Sequence, residues 1–182
     1  MKDFLRSMTF RFLAAWCLFT VMSFSAPLLR AEAKSTTPKS ATKIKASAVR
    51  VEMIQSDEIK LPAEFQVALY ENLIQQLQKK GSWHIYRVGD RNAANLTDLV
   101  VLRSKVSGFK EGSEKKRQVT TVAGATSITV HCQFTDSQGK VLLEGDINGK
   151  VRFFGGNLKA TYDFAKKAAT FAHDNLSATE GI

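Results

Sequence analysis

The sequence predicts an α+β fold, a mainly antiparallel sheet of four to six strands with two helices packed on one face. Three observations predict it. Ile128, Val130, Cys132 and Phe134 alternate with Thr129, His131, Gln133 and Thr135; past a turn, Val141, Leu143, Ile147, Val151 and Phe153 are interleaved with Glu144, Asp146, Asn148, Lys150 and Arg152. A period of two over that length describes two strands, each with one buried and one wet face. Phe65, Leu69, Leu73 and Leu77 recur at spacing four, the pattern of an amphipathic helix. Tyr162, Ala165, Ala169, Ala172 and Leu176 form a second helical stripe, with Phe164, Ala168 and Phe171 beside it. The order strand, helix, four or five strands, helix is that of an α+β domain.

The chain has 182 residues, enough for one domain and an appendage. The appendage is at the N-terminus. Lys2, Arg6 and Arg11 precede an apolar run from Phe12 to Leu29, and Ala31-Glu32-Ala33 follows. That order predicts a secretory signal peptide over residues 1–33, cleaved after Ala33. Thr20, Ser23, Ser25 and Pro27 weaken the run as a membrane span. Cys17 follows Trp16, where lipidation requires a small residue. After cleavage Cys132 is the one cysteine, so no internal disulfide forms. Its inward phase makes it a buried, inert thiol. Residues 34–47 are rich in Ser, Thr, Ala and Lys and predict a flexible linker.

Ala48–Gln55 reads as the first strand, with Val49, Val51 and Met53 in one phase. Pro62 suits the opening of a helix that runs to Lys80, and Gly81 stops it. Val67, Tyr70 and Ile74 widen its stripe. Trp83–Val88 is a short strand and Asp98–Phe109 a longer one, with Val100, Leu102 and Val106 in phase. Gly108 and Gly112 frame a mobile loop, Lys110–Gln118. The pattern of Val119–Ala125 fits either a strand extension or a tight approach to the next strand. Asp136-Ser137-Gln138-Gly139 is turn chemistry, and a four-residue loop sets Thr135 opposite Lys140. That register pairs Phe134 with Val141, Cys132 with Leu143, Val130 with Gly145 and Ile128 with Ile147, and sets His131 opposite Glu144. Gly155-Gly156 break the strand and Asn157 caps the last helix, 158–176, whose alanines permit close approach to the first helix or the sheet. One domain over 48–176 results, with 177–182 a loose tail.

Little in this pattern carries chemistry. His84, His131 and His173 lie far apart on different elements, so they hold no metal. Cys132 and His131 are strand neighbours and point to opposite faces, which rules out a dyad. Glu144 and Asp146 share the wet face with Lys150 and Arg152. Phosphate-cradling glycine motifs are absent. No catalytic, metal or cofactor-binding residue emerges, no cofactor is implied, and an enzyme is not expected. The formal net charge is +9, which suits anionic partners. Lys115, Lys116 and Arg117, grouped in the 110–118 loop, are the candidate contact for a partner or an anion. Trp83, Phe134 and Phe153 read as inward, so no aromatics face a basic surface and no specific nucleic-acid reader is indicated.

The chain resembles a bacterial envelope family, domain of unknown function 4410. The motifs are T-D-L-V-V-L-R-S-K-V-S-G-F-K-E-G at 97–112, Arg117, A-G-A at 123–125, I-T-V-H-C-Q-F-T-D-S-Q-G-K-V-L at 128–142, and Gly155-Gly156 before an Ala-rich helix. The resemblance implies an exported protein without a defining activity. It also implies a fold similar to the curli secretion protein and the TolB amino-terminal domain. The expectation is a non-catalytic module in the periplasm or envelope of a bacterium, without a transmembrane span after cleavage, that binds or assembles with an unknown envelope partner. The alternative is a binder of anionic envelope ligands through 110–118.

Overall fold

A computed structural model describes residues 43–93, 95–120, 123–153 and 155–179; the expected signal peptide and most of the expected linker lie outside them. All belong to the unit Pro38–Ile182. In chain order the elements are β1 (Ile44–Ala46), β2 (Ala48–Val51), α1 (Ala63–Lys80), β3 (His84–Arg87), β4 (Leu99–Lys110), α2 (Glu114–Val119), β5 (Thr126–Thr135), β6 (Val141–Val151), α3 (Lys159–Asn175) and β7 (Leu176–Ala178). The fold is α+β as expected. A five-stranded sheet runs β3-β2-β4-β5-β6, and β1 and β7 pair separately.

The sheet is mixed, which corrects the antiparallel emphasis. β4, β5 and β6 form an antiparallel meander, but β2 runs parallel to both β3 and β4. The first parallel pair follows from α1: a strand, a helix laid on the sheet and a strand beside the first make a crossover unit. The second arises because residues 88–98 carry the chain across β2. Ala93, within a 3-10 turn at Arg91–Ala93, is fully buried there against Ala48, Leu99 and Val101. Polar residues 89–95 hold no helical pattern, so the sequence disguised a crossover as a simple connection.

The core lies between the sheet and the two long helices. Phe65, Leu69, Leu73, Ile74 and Leu77 of α1 meet Val49, Val51, Val100, Leu102 and Val106 within one cluster. Val67 is 64% exposed and is not part of the stripe. Ala165, Ala169 and Ala172 of α3 are buried, as their spacing predicts, together with Phe164 and Ala168. Tyr162 falls outside the buried face. α3 approaches both neighbours open to it in the sequence. Asn72 of α1 donates to Thr161 at 2.9 Å, and a Cβ at Gly149 of β6 would strike the Ala160 carbonyl and the Phe164 backbone. Asn157 does not cap the helix; Leu158 occupies that position without a side-chain cap.

The β5–β6 register differs from the expected one by two residues. Phe134 pairs with Leu143, Cys132 with Gly145, Val130 with Ile147 and Ile128 with Gly149. One residue of the shift comes from the turn, since Thr135 pairs with Val141 rather than Lys140, and the bulge next to it supplies the other. From Leu143 onward a shift of two keeps side chains on their predicted faces, whereas Val141, paired with Thr135, is exposed rather than inward. Asp136 shapes the turn: its Oδ1 accepts from the main-chain N–H groups of Gln138 and Lys140, each at 2.9 Å.

Both ends of the domain extend past the expected boundaries. Residues 44–46, read as linker, pair in parallel with 176–178, partly read as tail. Ala46 and Leu176 are buried there. Met53 is 58% exposed because β2 ends at Val51, and the chain bulges before Gln55 rejoins Lys105 in an isolated bridge.

Candidate functional site

The three basic residues singled out in the sequence do not share one exposure. Ser113 accepts from the Lys116 main chain, and residues 114–119 form α2 rather than a mobile loop. Lys115 and Lys116 are exposed, whereas Arg117 turns inward and retains only 4% exposure. Spacing explains the split: on a helix, side chains at adjacent positions diverge.

Arg117 is a strut. It donates to the Gly124 carbonyl at 2.6 Å and the Gly155 carbonyl at 2.8 Å. A longer contact of 3.4 Å reaches Thr126 Oγ1. Thr126 Oγ1 also donates to Asn157 Oδ1 at 2.8 Å and accepts from the Gly112 N–H at 3.0 Å. Asn157 Nδ2 donates to the Gly112 carbonyl at 3.2 Å. One guanidinium thus fastens α2, the start of β5 and the segment leading into α3. Among the described residues no carboxylate pairs with it, and its Nε has no partner. Gly124 belongs here because its φ of +89° suits glycine and a Cβ would strike the Ser113 carbonyl at 2.5 Å. The A-G-A and Gly155-Gly156 motifs of the sequence are therefore the backbone acceptors of a structural arginine. No local pattern marks that role, because the partners lie far apart in sequence and the adjacent lysines make Arg117 read as part of a solvated run.

The open face of the sheet carries a polar ladder. His131 lies opposite Asp146 rather than Glu144. Its Nδ1 is 2.8 Å from Asp146 Oδ1 and its Nε2 is 3.7 Å from Glu144 Oε2. Gln133 donates to the same Glu144 carboxylate at 3.0 Å. These contacts satisfy one another across strands. They hold no hydroxyl or thiol for the imidazole to activate. Cys132 points into the core, beside Ser104 Oγ at 3.8 Å. Burial pushes its thiol up to about 12, and nearby Asp146 adds to this against the opposing Ser104 contact. A thiol so protonated is a poor nucleophile.

A depression of about 570 Å³ opens where β2 bulges. Glu52, Met53, Asp57, Gln66 and Arg103 are among its lining residues. It combines charges of both signs with an exposed thioether and assembles no nucleophile with a base. Among the described residues no group of three His, Cys, Asp or Glu side chains could hold a metal ion. No described helix is long and apolar enough to cross a membrane.

No family model matches this chain, and no curated protein does. Solved structures do. A PelC dodecamer from Paraburkholderia phytofirmans aligns with a TM-score of 0.55 and 14% identity, over 76% of this chain and 94% of that one. A single-substitution variant of that dodecamer aligns at 0.54 and 16%, over 76% and 96%. A Xanthomonas campestris protein of domain of unknown function 330 aligns more loosely, at 0.44 and 11%, over 76% and 86%. The strand and turn motifs that resemble domain of unknown function 4410 thus find a shared fold in PelC rather than a matching family. The chain has the fold of PelC.

Proposed function

We infer that this protein is an exported, non-catalytic module of a bacterial envelope that works by assembling, first of all with copies of itself. The observation that carries this reading is the fold match over nearly the whole length of a chain that forms a dodecamer. The sheet supports it. Its two edges are unlike, β3 on one side and β6 on the other, and contact between unlike surfaces builds rings when the rotation closes. The β6 edge is guarded over only part of its length. Asp163 accepts from the Lys150 N–H at 2.9 Å, and Lys167 donates to the Asn148 carbonyl at 2.9 Å. Among the described residues, the outward main-chain groups of Glu144 and Asp146 carry no such guard, and unpaired edges invite a strand or surface from another molecule. Light scattering coupled to size exclusion tests the reading. An assembly of many copies of the chain is expected. A monomer at every concentration would sink it.

A second reading, binding of anionic envelope ligands through 110–118, is favoured by the exposure of Lys115 and Lys116. Its contact set excludes Arg117, which is buried. Release from a soluble polyanion such as dextran sulfate on raising salt is its test.

A further inference from the structure

Half of the large apolar side chains that the described surface leaves exposed lie at one end of the molecule: Val119 at 84%, Phe153 at 58%, Tyr162 at 48% and Leu158 at 40%. The Arg117 strut brings their segments together, since it ties α2 to Gly155, and Asn157 ties the same segment to Gly112. Basic residues share that end. Lys110 and Lys150 both lie opposite Ser127 in the sheet. Lys115 and Lys116 stand on α2, and Arg152 lies just past β6. All five are exposed and have no ion pair among the described residues. Against them stand Glu111 and Glu114, while Asp163 is engaged by Lys167 at 2.6 Å.

We propose that this end docks on the surface of an anionic lipid bilayer. The proposal rests on the second reading above and names its ligand. Charge complementarity argues for an anion. The apolar side chains argue for lipid, because a soluble polyanion uses the cations alone, whereas a bilayer interface takes up cations and apolar groups together. The strut makes the surface a fixed platform, so little order is lost on docking.

Flotation with vesicles tests this on the unit Pro38–Ile182, which holds the entire described core. Vesicles of mixed phosphatidylcholine and phosphatidylglycerol should bind it, and pure phosphatidylcholine should bind it far less. Each basic residue near an anionic surface contributes about a fivefold factor, so Lys115→Gln with Lys116→Gln should weaken partitioning about twenty-fivefold. Phe153→Ser should weaken it several-fold, and Val67→Ser, on the exposed face of α1, should not. All four substitutions lie on the surface, and an unchanged melt checks the fold. If the lysine variant loses both vesicles and dextran sulfate while Phe153→Ser loses neither, the ligand is a soluble polyanion; the lipid proposal is overturned and the second reading stands. If the wild type binds neither probe, both fall.

Discussion

Arg117 shows how far one side chain can depart from its sequence context. Glu114-Lys115-Lys116-Arg117 reads as a solvated run, yet the last residue is a buried hub with carbonyl partners at 2.6 and 2.8 Å. Its removal strands those acceptors, and an unsatisfied buried polar group costs about 1–3 kcal/mol. Arg117→Ala should therefore lower stability by about 2–4 kcal/mol in urea titration, while Lys115→Ala changes it by less than about 0.5 kcal/mol. Equal effects at the two positions would remove the strut from the account. Cys132 behaves as its phase predicts. Its ionisation is raised in the fold from an ordinary value of 9.0 to about 12. A raised group gives stability that is fully present below the unfolded value and lost as pH climbs through the folded one. Stability should thus fall between those two values with a slope of up to about 1.4 kcal/mol per pH unit. Cys132→Ala should lack that component, which a comparison of denaturation midpoints across the range will isolate.

At the scale of elements, periodicity was legible and offsets were not. The alternation in 126–153 placed both strands and the faces of Ile128–Phe134 and Leu143–Val151, because side-chain parity is a property of the strand itself, but it failed beside the turn, where Thr135 is buried and Val141 exposed. The pairing offset depends on a turn one residue longer than expected and a bulge beside it, and no residue pattern marks either. Spacing sets Val67 and Tyr162 within their helical stripes, but each lies at the margin of an arc whose centre meets the core. Phe153 kept the strand's phase on paper, but β6 ends at Val151 and the side chain is exposed. The alanine stripe of α3 was legible as close approach, and Gly149 supplies the other half of that contact. A methyl group there would meet the Phe164 Cβ at 2.6 Å and its N at 2.7 Å. Both atoms belong to a packed helix that cannot swing aside. Gly149→Ala should cost about 1–3 kcal/mol through overpacking. Gly156→Ala, with open space around it, serves as the control. A neutral Gly149→Ala in thermal denaturation would mean that α3 stands farther from β6 than described.

For the whole molecule, the boundary of the domain is the feature the sequence hid best. Lys43–Ser47 resembles the linker before it in composition, and strands of three residues are too short for a period to register. Distance in the chain decided the matter: β1 finds its partner some 130 residues later, and no local pattern reports such a pairing. The contact nonetheless has the marks of structure. Thr179 N–H donates to the Ala46 carbonyl at 3.0 Å, and Lys43 Nζ reaches the His173 carbonyl at 2.9 Å. Ala46 and Leu176 are at 0% and 2% exposure in the main core cluster. This pair of strands therefore sets β1 beside the C-terminal end of α3. Leu176→Ala removes the largest fully buried side chain of the pair and should cost about 2–5 kcal/mol. Its signature is local as well as global. In native-state hydrogen exchange the Thr179 amide should be protected in the wild type and lose protection in the variant, while amides of β5 lose only what the global destabilisation dictates. If the Thr179 amide exchanges at the rate of an open chain in the wild type, β1 is the linker that its composition suggests, and the domain begins at β2.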